Sequence, residues 1–157
     1  MAWLEATPLG HLMRETGVWT YAIVNLFHII AIALLFGAIC VLDLRLLGVW
    51  RSIPLGMISR PAVNVAGCGV GLAVLTGVPM LATKAREYAD NPFLLPKFVF
   101  LGLALANVLI LHLSPAWRAH RGRALGVAEE RNLARMGAAS LLFWLGVITC
   151  GRLIGYW

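Results

Sequence analysis

The stretch Val18–Leu42, VWTYAIVNLFHIIAIALLFGAICVL, holds 25 residues and not one charge. At about 1.5 Å of rise per residue, a helix of that length crosses a hydrocarbon core of roughly 30 Å. In its middle stands His28. A polar side chain with a metal-binding nitrogen is costly inside hydrocarbon, so an intramembrane histidine is a functional-site candidate whose partner has to be found.

Outward from that run the pattern repeats. Apolar segments follow at about 62–83, 97–114 and 136–157, each near 20 residues and each fitting one transmembrane helix. No strand-like alternation competes. The chain is 61% hydrophobic and 13% charged, with a mean hydropathy of +0.84, where a soluble domain carries about 25% charge. The expected fold is therefore all-α: an integral membrane four-helix bundle forming a single domain over residues 1–157. The opening residues MAWLEATPLGHLMRE show no basic n-region ahead of a short apolar core, so no cleavable signal peptide is expected. Residues 3–15 are expected to form a short amphipathic helix at the interface, with Trp3 as anchor. Pro92 and Pro96 suit the first turn of the third helix.

The net charge of +6 lies in short segments between apolar runs. It sets topology and does not indicate nucleic acid. Arg45, Arg51, Arg60, Arg118, Arg121, Arg123, Arg131 and Arg135 fall on one side, against Arg14, Lys84, Arg86, Lys97 and Arg152 on the other. The richer side belongs in the cytoplasm. Both termini are then expected at the periplasmic face of a bacterial inner membrane. Cys40, Cys68 and Cys150 sit inside apolar runs at spacings that match no metal motif or disulfide framework, and read as small buried hydrophobes. Paired carboxylates within a span, a Ser–His–Asp set and a phosphate loop are all missing, which leaves hydrolase and nucleotide chemistry without support.

Depth sorts the candidate site residues. His28 lies about four residues before the centre of the first helix, roughly 6 Å toward the periplasmic side. Met80 near the end of the second helix, Lys97 at the start of the third, and Arg152 and Tyr156 at the end of the fourth share that half. The set suits a b-type haem, with His28 as axial ligand, Lys97 and Arg152 pairing with propionates, and Met80 or Lys97 as a second axial group. The alternative is a histidine hydrogen-bonded to a neighbouring helix, with Lys97 and Arg152 snorkelling to the interface. His112 lies about nine residues past the centre of the third helix, so it differs from His28 in depth by roughly 18–20 Å and serves a second site or a structural role. Asp43 and Arg45 are expected to pair with each other and with His112. His11 and His120, outside the spans, are expected to have no ligand role. Asn107, Thr76 and Ser140 are expected to hydrogen-bond between helices. Gly67 and Gly71 form a small-xxx-small pair for close packing, and Thr76–Pro79 offers a helix break or a proline kink.

Four strings carry a resemblance across nearly the whole chain: NLFHIIAIALLFGAICVLDLRLLG, the Thr76–Gly77 pair, NPFLLPKFVFLGLALANVLILH and SLLFWLGVITCGRLIGY. Together they resemble an uncharacterised bacterial family of four-helix membrane proteins, which implies an architecture and no activity. His28 and Lys97 are also distantly similar to two positions of the haem-binding, four-helix protoporphyrinogen oxidases, where a first-helix histidine is the haem ligand and a third-helix lysine its partner. The DLRLLG segment and His112 depart from that pattern. Copper-resistance membrane proteins and b561-type cytochromes share the layout at fold level only.

The functional expectation is a b-type haem-binding membrane protein in electron transfer or a membrane redox reaction. It would carry one haem b or two, with His28 and His112 as the metal-ligating residues, and meet a membrane or periplasmic redox partner. The alternative is a cofactor-free accessory subunit whose small-residue faces pack in a homo-oligomer or a larger complex, with its basic 118–135 loop on lipid headgroups. A transporter is disfavoured, because no midplane ring of polar ligands is evident.

Overall fold

The structure is a computed structural model of the chain and describes residues 6–7, 13, 15, 17–83 and 85–157. Most of the interfacial helix expected at 3–15, Trp3 and His11 included, lies outside the described residues. Among the described residues from Gly17 on, six helices follow in order: α1 (Gly17–Leu46), α2 (Leu55–Thr83), α3 (Ala85–Ala89), α4 (Leu94–Leu113), α5 (Pro115–Ala119) and α6 (Val127–Ile154). Among the described residues there is no strand. Helices α1, α2, α4 and α6 are each long and apolar enough to cross a membrane.

The first helix runs on past Leu42 into the LDLRLLG segment, as its sequence implies, and the other helix ends differ from expectation in ways the backbone explains. Helix α1 stops at a Schellman turn. Val49 N–H donates to Leu44 O at 2.9 Å and Gly48 N–H to Arg45 O at 3.1 Å, with Gly48 at φ +101°. That left-handed backbone is what a glycine at this position supplies. Helix α2 begins at Leu55, two turns before the apolar run, and passes unbroken through Pro61 and Pro79. Each proline deletes one N–H without ending the helix, so Thr76–Pro79 is not a break. Helix α6 begins at Val127 inside the basic segment. Its start is fixed by Glu129, which accepts from Gly126 N–H at 2.9 Å and from Arg123 at 2.6 and 2.8 Å. Of the two prolines, Pro96 lies in the first turn of α4, while Pro92 precedes it.

Helices α1 and α2 pack as one antiparallel hairpin, α4 and α6 as another, and α1 meets α6 between them. Leu35, Ile39, Ala104 and Trp144 form one buried cluster; Leu42, Leu46, Ala62, Leu111, Trp117 and Leu133 form a second toward the α1–α2 turn. Asn107 donates to Met136 O at 3.1 Å across α4 and α6. At the opposite end Asn91 donates to Ile154 O at 3.2 Å and accepts from Phe93 N–H at 3.0 Å, tying the α3–α4 turn to the end of α6. Outside these contacts the helices present bare hydrocarbon: Trp19 is 82% exposed, Leu75 73% and Leu95 73%. Apolar surface on that scale is not sustained in water, and four such helices point to a multi-pass membrane protein in contact with lipid.

The glycines of α2 act differently from their spacing. An ideal Cβ on Gly67 or Gly71 would meet nothing within 4 Å, whereas one on Gly69 would come within 2.7 Å of Leu35 N and 2.9 Å of Leu35 Cα. Gly69 sets the closest approach of α2 to α1. Gly69→Ala must push the two backbones apart and is expected to cost about 1–3 kcal/mol, as overpacking does. Gly67→Ala gains helix propensity and is expected to be neutral or mildly stabilising. Thermal unfolding of the two variants in detergent checks this: equal melting temperatures would contradict the assignment.

Candidate functional site

His28 lies on α1 where α2 faces it with Thr76 and Gly77. Its Nδ1 is 2.8 Å from Thr76 Oγ1, and Thr76 Oγ1 is in turn 2.7 Å from Leu72 O, one turn back on α2. A carbonyl oxygen only accepts, so the single hydroxyl proton goes to Leu72 and Thr76 Oγ1 accepts from His28 Nδ1–H. This network assigns the proton to Nδ1, and the Ala73 carbonyl is a further acceptor beside the ring. Gly77 makes room for the ring, because a Cβ there would stand 3.1 Å from His28 Cε1. Thr76 is buried and His28 half-buried.

Lys97, in the first turn of α4, is within electrostatic reach of His28 and of Cys150 on α6. Its stem lies against Gly151, whose added Cβ would be 3.6 Å from Lys97 Cε. Thr76 and Gly77 of α2 thus face His28 directly, while Lys97 of α4 acts on it electrostatically and itself lies against Gly151, near Cys150, of α6. Met80 is four residues beyond Thr76, on the same stripe of α2 and one turn nearer its end.

The other predicted residues are placed apart from this cluster. Arg152 is exposed; it donates to the Tyr156 hydroxyl and lies 4.5 Å over the Tyr156 ring. His112, in the last turn of α4, is at the opposite end. Its Nδ1 donates to Val108 O at 2.8 Å, and its ring packs 5.1 Å from that of Trp117. The expected Asp43–Arg45–His112 pairing does not form. Two residues along a helix are turned about 200° from each other, and Arg45 Nε instead donates to Ile53 O at 2.8 Å in the α1–α2 turn. Asp43 is 2% exposed and hydrogen-bonded to Ser140 of α6, with Oδ2 unpartnered; Trp144 Nε1 on the same interface is unpartnered too. Among the described residues no group of three or more His, Cys, Asp or Glu is arranged to hold a metal ion, and the cysteines are free.

His120 has a structural role that the sequence did not reveal. Its Nδ1 donates to Trp117 O, its Nε2 accepts from the buried Ser59 hydroxyl at 2.9 Å, and its ring stacks 4.6 Å from Trp117. One neutral imidazole thus ties α5 to the start of α2, with both ring nitrogens engaged.

The family of unknown function DUF6644 matches residues 1–157. The chain belongs to that family. No match was found among curated proteins or solved structures.

Burial holds the His120 imidazole below its ordinary value of 6.5, against the opposing pull of the Trp117 carbonyl. The unfolded chain then binds this proton more readily than the folded one. Stability is full above pH 6.5 and is lost as the pH falls through that value toward the lowered one. Melting temperature is expected to drop between pH 7.5 and about 5, and the drop is expected to be shallower in His120→Gln, which does not titrate. Parallel curves for the two proteins would contradict the assignment.

Proposed function

We propose that the four long helices form a transmembrane bundle that binds haem b through His28 and serves in electron transfer or a membrane redox reaction. The observation that carries the reading is the state of the imidazole. Nδ1–H is held by a hydroxyl whose own proton is already committed, and Nε2 keeps an unshared pair. Axial and metal-ligating histidines depend on that arrangement, in which a hydrogen bond at one nitrogen fixes tautomer and orientation at the other. The residues fit the group: the His28 imidazole would hold the iron, Lys97 would pair with a propionate, and the Met80 thioether, one turn beyond Thr76 on α2, would be a candidate further ligand. Arg152 is within this half of the protein, on the helix that carries Gly151, and is the second candidate for a propionate. His112 also has an uncommitted Nε2 and is the residue to which a second haem would be assigned.

Bound haem supplies a one-electron iron couple. The chain's own contribution is positional: Thr76 orients the imidazole, Gly77 leaves space for it, Lys97 places positive charge beside it, and the apolar helix faces exclude water. The excess of arginine at the α1–α2 turn and the 114–135 segment favours the cytoplasmic side for that end, which puts both termini at the periplasmic face of a bacterial inner membrane, near a redox partner in the membrane or the periplasm.

The test is a haem assay on the full chain, expressed with haem precursor and purified in detergent. Wild type is expected to show a Soret band with reducible α and β bands, and pyridine haemochrome is expected to read about one haem per chain. His28→Ala is expected to lose it. Thr76→Val is expected to bind 10–100-fold more weakly, roughly the range for lost support of a ligand. A colourless wild-type protein, or undiminished haem in His28→Ala, would contradict the reading and favour a cofactor-free accessory subunit.

A further inference from the structure

A second feature lies on the outer face of the α1–α2 hairpin, away from the core. Ala33, Gly37 and Val41 of α1 and Met57, Pro61 and Val65 of α2 line a groove of about 430 Å³ with almost no polar surface. Its walls look outward: Val41 is 43% exposed and Met57 69%. Gly37 lies in the middle of α1, yet a Cβ there would meet nothing within 4 Å. Packing within this chain gives no reason for a glycine at that place, and glycine weakens a helix interior. The missing side chain keeps the groove open.

The groove runs toward the α1–α2 turn, and that end is basic. Arg45 is four residues past Val41, so it continues the groove-facing stripe of α1. Its Nε is held by Ile53 O at 2.8 Å, which anchors the guanidinium in the turn and leaves the two Nη groups for another acceptor. The Arg51 guanidinium lies in the same turn, folded over Gly48, with Nε 2.6 Å from where a Cβ would be. No acid of this turn answers them. Eight arginines fall at this end of the molecule against three acids. Of those three, Asp43 is buried against α6 and Glu129 is paired with Arg123.

We propose that this groove binds an anionic phospholipid, with one acyl chain along the α1–α2 surface and the headgroup phosphate on Arg45 and Arg51. The apolar volume is shaped for a hydrocarbon chain, and the two guanidinium groups at its end match phosphate oxygens. Scattered surface arginines attract anionic lipid without selecting a place on the protein. A groove that ends on two positioned guanidiniums selects one. The site is remote from His28 and stands independently of the haem reading.

The experiment is thermal unfolding of the delipidated full chain in detergent, with phosphatidylglycerol or phosphatidylcholine of the same acyl composition added. Phosphatidylglycerol is expected to raise the melting temperature more than phosphatidylcholine. Gly37→Leu, which fills the groove, and Arg51→Gln, which removes one guanidinium, are each expected to reduce that excess by at least half. Gly71→Leu, whose side chain enters open space elsewhere on α2, is expected to keep it. Helical circular dichroism and a monodisperse elution profile establish that each variant is folded. Equal stabilisation by the two lipids, an excess that survives both groove variants, or the same effect from inorganic phosphate would overturn the proposal. So would a change of Gly37→Leu from dimer to monomer with the lipid effect intact, which would assign the groove to a second copy of this chain.

Discussion

The hydrogen bond from His28 Nδ1 to Thr76 Oγ1 is the contact around which the candidate site is built. A histidine within an apolar helix needs a polar partner, because hydrocarbon offers none. The partner can come only from a neighbouring helix that approaches closely. Gly69 gives α2 that approach, with its absent Cβ against the Leu35 backbone, and Gly77 repeats the device two turns on, against the imidazole itself. The threonine between those turns uses its one proton on its own helix, at Leu72 O. Helix packing and the hydrogen bond at His28 are thus one problem: Thr76 reaches Nδ1 because α2 lies close to α1.

The two ends of the molecule use their polar groups differently. At one end His28 of α1 bonds Thr76 of α2, with Lys97 of α4 within electrostatic reach. At the other end, His120 has both nitrogens engaged and sits with His112 against Trp117, fastening α5 to α2. Between them lies the α1–α6 interface, where Gly137 lets α6 close on Asp43: a Cβ there would be 3.2 Å from Asp43 O.

The spans, the intramembrane histidine and the interhelical roles of Asn107, Thr76 and Ser140 were legible in the sequence, because length, charge depletion and isolated polar residues are one-dimensional signals. Rotation about a helix axis is not. Gly67 and Gly71 have the spacing of a packing motif, yet Gly69 makes the contact, since only the crossing geometry decides which face is inward. Asp43 and Arg45 look like an ion pair when written side by side but point to opposite sides of α1. Helix starts were hidden for a related reason. Polar residues before the hydrocarbon, such as those after Val127, continue a helix when a side chain like Glu129 accepts from the N-cap N–H of Gly126. His120 was passed over because it lies outside the spans, and its signal, a Trp–x–x–His spacing in one turn beside a buried serine 61 residues away, appears only after folding.

The most direct measurement of the central claim is the protonation state of the His28 ring in the ligand-free protein in lipid bilayers. Ring-nitrogen NMR of chain labelled with ¹⁵N-histidine, with the His28 signals assigned by their loss in His28→Ala, reads it. A neutral imidazole with the proton on Nδ1 and an unprotonated Nε2 is expected, reverting to a tautomer mixture in Thr76→Val. A proton on Nε2, or an imidazolium at neutral pH, would contradict this assignment and remove the basis for ligation at this site.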